Sequence, residues 1–202
     1  MTDNDDIDIS TLVDIDTEEV QPPDEAAVPS TLPLLLLSGL VIFPRSVVPI
    51  RVTSEAETKL VDEAVMGNKL VGTVALRDSE SGDRDGAEDN PGLKAAYEMG
   101  CVARILQLQR LPNGQMNLVL QAFHRFRING LAQRDPYLVG RIRLVKEPEF
   151  DRDELQPLMT SVKMQMQHLI NLSPNLPEGA GSLLESISDP GFLADIIAAN
   201  LS

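Results

Sequence analysis

The residues able to do covalent chemistry are few and scattered. His124 and His168 are the only histidines and Cys101 is the only cysteine. His124 sits in the run "FHRFRI", whose alternation places it on a strand with Arg125 and Arg127. His168 falls on the polar side of a helical pattern. Two imidazoles so far apart suggest no metal pair, and there is no HExxH. Ser161 and Lys163 are a nucleophile and a base by type, but residues two apart on a helix do not face each other. Carboxylates crowd together only in the first 31 residues and in "RDSESGDRDGAEDNPG". Nothing there would desolvate them and tune a pKa. No GxxxxGK(S/T) loop is present to cradle a nucleotide phosphate. Cys101, in a strand-like run, reads as a small buried hydrophobe. These residues predict a chain that catalyses nothing by itself and holds no cofactor and no metal.

What remains is surface. The 202 residues carry 31 Asp and Glu against 17 Lys and Arg, a net of −14. Ten of the acids lie in residues 1–31, which hold no Lys or Arg, leaving 21 acidic and 17 basic residues elsewhere. A body so nearly balanced offers no broad basic face for phosphates, which argues against a nucleic-acid partner. Arg125, Arg127, Arg141 and Arg143 nevertheless gather on two candidate strands, either to hold an acidic partner segment or as a solvated face paired with nearby acids. Met164 points away from the apolar stripe of its helix, as a flexible contact or a tolerated exposed thioether.

The elements that position these residues begin with "LPLLLLSGLVIFPRSVVPI", Leu32 to Ile50. A membrane span wants about 20 uninterrupted apolar residues. Here Pro33, Ser38 and Gly39 interrupt the run, and Pro44 and Arg45 end it. An export signal would begin with positive charge at the terminus, whereas this run follows acid. The reading is a strand over Leu34 to Ile42, a bend at Phe43-Pro44-Arg45-Ser46, and a second extended piece over Val47 to Val52. Pro49 has no N–H for a ladder, so that piece belongs at an edge or is irregular. Residues 1–31, highly charged and poor in large hydrophobes, are expected to be a disordered acidic tail. Ser54 to Gly67 reads as a helix with a capping box from Ser54 and Glu57. Lys69 to Leu76 is a strand, and the acidic run after it is a loop.

Cys101 to Ile128 is a hairpin around "LPNGQ", with Asn113-Gly114 suited to a turn in which both residues take positive φ. In its second strand Met116, Leu118, Leu120, Ala122 and Phe126 share one face. Tyr137 to Lys146 is a further strand. After Pro148 the pattern turns helical. Leu155, Leu158, Met159, Val162, Met166, Leu169 and Ile170 fall within about 120° of arc at roughly 100° per residue. That stripe puts Pro157 in the first turn, where its missing N–H costs little. A shorter helix follows. A third is capped by Asp189, opens at Pro190 and is apolar around much of its circumference through Phe192, Leu193, Ile196, Ile197 and Leu201. It needs cover from the two preceding helices or from further sequence. Three parts are expected: 1–31 tail, 32–148 β-rich, 149–202 α-helical.

In order and spacing, "LPLLLLSGLVIFPRSVVPIRV", "MGCVARILQLQRLPNGQMNLVLQAFHRFRI", "PYLVGRIRLVKE" and "SISDPGFLADIIAANL" resemble the amino-terminal domain of Lon proteases over about residues 31–202. The chain departs from that pattern at Ser38-Gly39, where Arg-Asp is frequent, at Arg45, where Gly is common, and at Ala122-Phe123, usually Glu-Gly. The resemblance implies an α+β fold: a PUA-like, mostly antiparallel β-barrel with one helix, followed by a C-terminal α-helical subdomain. It implies a non-catalytic unit that selects misfolded or degron-bearing proteins beside ATPase and Ser–Lys protease modules and supports oligomer assembly. A stand-alone binding or adaptor protein of the same fold is the alternative. No membrane partner is expected, and the single cysteine suits a reducing cytoplasm. Phe43, Pro44, Val47 and Val48 are the candidate substrate contacts, with Met164 as an outlier.

Overall fold

The computed structural model of the protein describes residues 23–77, 95–146, 150–172 and 180–200. The strands are β1 Thr31–Leu37, β2 Val47–Val52, β3 Leu70–Leu76, β4 Ala96–Arg110, β5 Met116–Gln133 and β6 Val139–Leu144. The helices are α1 Glu55–Met66, α2 Arg152–Leu172, α3 Ala180–Ser186 and α4 Pro190–Asn200. The strands form one sheet in the order β2-β5-β4-β3-β1-β6, and β5 pairs again with β6. The pairings β1–β3–β4–β5–β6–β1 therefore return to their start, with β2 attached on the first half of β5. Only β1–β3 is parallel.

Successive residues of a strand point to opposite faces, and the central strands are apolar on both. On one face Leu35, Val71, Cys101, Ala103 and Ile105 join Leu60, Val61 and Ala64 of α1 and Ile50 and Val52 of β2. On the other, Leu32, Leu34, Leu70, Val74, Val102, Phe126 and Ile142 meet. The Phe126 ring is fully buried against Gly72 and Gly100. A Cβ on Gly100 would come within 2.7 Å of that ring and closer still to the Thr73 carbonyl oxygen. Phe126 and Ala122, expected on one face, thus serve different cores. The β4–β5 register slips between the Cys101–Arg125 and Ala103–Ala122 pairs, and such a bulge breaks the simple alternation.

Local signals acted as read at α1. The Glu57 N–H donates to Ser54 Oγ at 3.2 Å, and the Ser54 N–H donates to Glu57 Oε2 at 3.4 Å. The β4–β5 turn differs from expectation. Gly114 has φ +83, but Asn113 has no positive φ. The Gly114 N–H donates to Leu111 O at 3.1 Å and the Leu111 N–H to Gln115 O at 2.9 Å. This is a three-residue loop with Pro112 leading and glycine in the left-handed position.

Three boundaries move. β1 ends at Leu37 rather than Ile42, because Gly39 at φ +68 turns the chain. The ordered body starts before residue 32. Asp24 caps a 3-10 turn at Glu25–Ala27, Val28 packs against the second core, and the Ile142 N–H donates to Ser30 O at 2.8 Å. The rest of the acidic tail and the acidic loop lie outside the described residues. Third, α2 begins at Arg152, so Pro157 lies beyond the first turn. Met159, Met166 and Ile170 pack with Leu184, Ile187, Leu193 and Phe192, while Leu158 and Leu169 on the other flank of the stripe stay exposed. α3 and α4 lie to one side of the stripe and cover only that side.

Candidate functional site

The expected bend is a tight turn. The Ser46 N–H donates to Phe43 O at 3.3 Å, with Pro44 second and Arg45 third at φ 65. A positive φ at the third position defines a type II turn and normally calls for glycine. The Arg45 N–H donates to Ala122 O at 2.8 Å and the Ala122 N–H to Ser46 O at 2.9 Å. Two residues of the turn strand therefore face one of β5. Beyond this bulge Val47 to Val52 pair with Gln121 to Met116. Antiparallel bonding alternates, so the backbone groups of Val47, Pro49 and Arg51 face away from β5. Pro49 occupies a position where no N–H is required of it.

β2 ends the strand order, and its outer edge has no strand partner among the described residues. Along it lies a groove of about 350 Å³ lined by Leu35 to Ser38, Leu40, Pro49 to Val52 and Glu57. Leu35–Leu37 is the tail of β1, and Glu57 comes from the first turn of α1. The site is thus a trough of mixed polar and apolar lining, with one free backbone edge, one guanidinium and one carboxylate beside its leucines. On β5, opposite Arg51 and Val47, Asn117 Oδ1 and Gln121 Oε1 are buried without hydrogen-bond partners among the described residues.

The five residues expected from sequence are placed unequally. Val47 is 44% exposed at the free edge. Val48 packs against the first core, Phe43 is half-buried and Pro44 is buried. Pro44 therefore shapes the turn and presents no surface. Met164 is exposed on α2, and no described contact links it to the turn. Val41, 49% exposed just before the turn, was missed, as was the groove; only the folded course of β1 and β2 brings its walls together.

Arg45 also ties the turn to α4. Its guanidinium lies 3.6 Å from the Asp189 carboxylate and 4.9 Å from the Phe192 ring centre. Asp189 in turn accepts the Phe192 N–H at 2.7 Å, the cap expected for this helix. Arg125 of β5 pairs with the buried Asp195 of α4. α4 packs with α2 and α3, and the Arg45 and Arg125 contacts tie it to the turn and to β5.

The residues screened for chemistry have other work. Lys163 Nζ donates to Glu185 O at 3.0 Å and Ile187 O at 2.5 Å, closing the end of α3. His124 Nε2 lies 2.9 Å from Pro23 O. Burial pushes the Cys101 thiol up to about 12. Among the described residues, no three His, Cys, Asp or Glu gather as metal ligands, and no helix is long and apolar enough to cross a membrane.

Residues 31–202 match the family model for the ATP-dependent protease La (LON) substrate-binding domain. The chain is similar to Lon protease 2 of Myxococcus xanthus, 37% identical over 86% of this chain and 20% of that protein. It is similar to Lon protease of Anaeromyxobacter dehalogenans, 36% identical over 86% of this chain and 20% of that protein. The chain thus spans about a fifth of the length of the curated relatives it matches. Its fold is similar to the N-terminal domain of a Mycobacterium avium complex Lon protease, with TM-score 0.56, 21% identity, and coverage of 82% of this chain and 80% of that one. It also resembles a Lon N-terminal domain protein from Xanthomonas campestris, with TM-score 0.51, 24% identity, and coverage of 84% and 97%. With its turn, edge strand and capped helices in that order, the chain belongs to the LON substrate-binding domain family.

Proposed function

We propose that this chain is the non-catalytic recognition unit of an ATP-dependent Lon-type serine protease in the cytoplasm, and that it binds misfolded or degron-bearing proteins. ATPase and protease modules would supply unfolding and cleavage. The observation that carries the reading is the free edge of β2 beside a groove of mixed polar and apolar lining. An extended client can add its backbone to such an edge while alternate side chains enter the trough. Folded proteins keep most backbone groups paired and most apolar side chains buried, so the site would favour unfolded segments. Val47 would make direct contact, Phe43, Pro44 and Val48 would hold the turn, and Met164 would serve a separate contact on α2. The return of the strand pairings from β6 to β1 supports a PUA-like barrel over residues 32–148, with 149–202 as its helical companion. Equilibrium binding of a reduced, alkylated polypeptide against its native form tests the reading. Binding of the unfolded form alone, without cleavage or ATP turnover, is expected; equal binding of both forms, or of neither, refutes it.

A further inference from the structure

We propose that residues 1–22 of this chain dock in cis on the arginine face of β5 and β6. Arg127 stands directly opposite Arg143 in the β5–β6 ladder, and Arg141 follows two residues along on the same face of β6. Like charges placed opposite each other disfavour a sheet unless something neutralises them. Glu98, itself largely exposed, lies 3.7 Å from Arg127. Neither Arg141 nor Arg143 has an ion-pair partner among the described residues. The face already accepts a carboxylate from another element, since Arg125 on the same side of β5 pairs with Asp195 of α4.

The occupant is set by charge and by tether. Residues 1–22 hold eight Asp and Glu and no Lys or Arg. The described chain begins at Pro23, whose carbonyl oxygen lies 2.9 Å from His124 of β5. Thr31, eight residues on, stands opposite Arg141 in the β1–β6 ladder. Arg127 is three residues along the strand from His124, roughly 10 Å at strand rise, but its side chain leaves the opposite face of β5, so the segment has to pass around the sheet to reach it. Glu18 and Glu19 begin four residues before Pro23, a reach of about 13 Å when extended. A tether that short gives the acidic segment a high effective concentration at the face, which an acidic segment of another molecule would have to displace.

The test is a spin label on the full chain carrying Thr11→Cys, with the buried Cys101 left unlabelled. At about 0.01 M salt the amide signals of Arg127, Arg141 and Arg143 should be lost to broadening. They should return at about 1 M, where the screening length falls from about 30 Å to about 3 Å. The exposed double variant R141E/R143E should restore them at low salt while keeping a dispersed spectrum. If that variant unfolds, D14N/D16N/E18Q/E19Q removes the same charges from the other side. Broadening that is absent, insensitive to salt, or strongest away from β5 and β6 overturns the proposal. So does broadening that scales with protein concentration, which would place the segment on a second copy.

Discussion

Arg45 reaches from the turn before β2 to α4, where its guanidinium stacks 4.9 Å from the Phe192 ring centre. It does so from a left-handed backbone, φ 65, that costs a residue with a side chain roughly 1–2 kcal/mol. The contact offsets the strain and fixes the candidate edge against the helical part. Replacing Arg45 by Ala keeps the strain and removes the contact; replacing it by Gly removes both. Urea unfolding should therefore rank Arg45→Ala below Arg45→Gly by about 1 kcal/mol. Equal stability of the two would mean the turn does not hold that conformation.

The second tie, Arg125 to Asp195, joins β5 to a helix face that is otherwise apolar. Asp195→Ala would remove a carboxylate partner from a guanidinium that is only partly open to water. A loss of about 2–3 kcal/mol is expected, at the low side for a broken buried pair because Arg125 is nearly a third exposed. The double variant R125M/D195L should cost less than the two single changes added together, a coupling that a double-mutant cycle on thermal unfolding reads directly. Additive losses would show that the two groups do not depend on each other.

Cys101 offers a pH signature. Burial raises its thiol to about 12 from 9.0. Between those values the unfolded chain gives up a proton that the folded one keeps, so stability falls as pH rises. The slope is about 1.4 kcal/mol per pH unit once pH passes the unfolded value. Below about pH 9 this group contributes no slope. The stability of the native chain relative to Cys101→Ala, measured by urea melts from pH 8 to 10.5, should therefore fall as pH rises. Disulfide reagents should leave the native thiol untouched at pH 8 and modify it fully in urea. A flat difference or prompt native labelling contradicts this placement.

The close approach of β3, β4 and the Phe126 ring makes Gly100 intolerant of any side chain. Gly100→Ala presses on the Thr73 backbone carbonyl, whereas Gly72→Ala presses on the side chains of Leu34 and Phe126, which can give. Both should destabilise, by about 1–3 kcal/mol for Gly72→Ala and more for Gly100→Ala. Thermal melts that reversed this order would argue against the observed packing.

Features written in neighbouring residues were legible in the sequence. The Ser54–Glu57 box, the Asp189 cap, the edge position forced on Pro49 and the bend at Phe43–Ser46 each depend on a few consecutive residues. Features that need distant partners were not. One local feature was read past: Gly39 ends β1 at Leu37, although the apolar run continues to Phe43. Pro157 was expected in a first turn, but α2 starts earlier, and its apolar stripe is wider than the surface α3 and α4 cover. Of the candidate site, the edge and Val47 could be read directly. The groove could not, because β1 and β2 meet there through folding alone, and Arg45 showed itself only as an unusual residue where glycine is common.

The central claim is that an extended protein segment binds along the free edge of β2. A photo-crosslinking amino acid placed at Val47 in the full chain, mixed with a reduced, alkylated polypeptide, tests it most directly. Digestion and mass mapping should show adducts from position 47 with the unfolded polypeptide, absent when the native form is used and suppressed by excess unlabelled unfolded competitor. A probe at Met66, an exposed residue at the opposite end of α1 from the groove-lining Glu57, should give few. Adducts equally abundant from both positions, or none from position 47, would contradict the account.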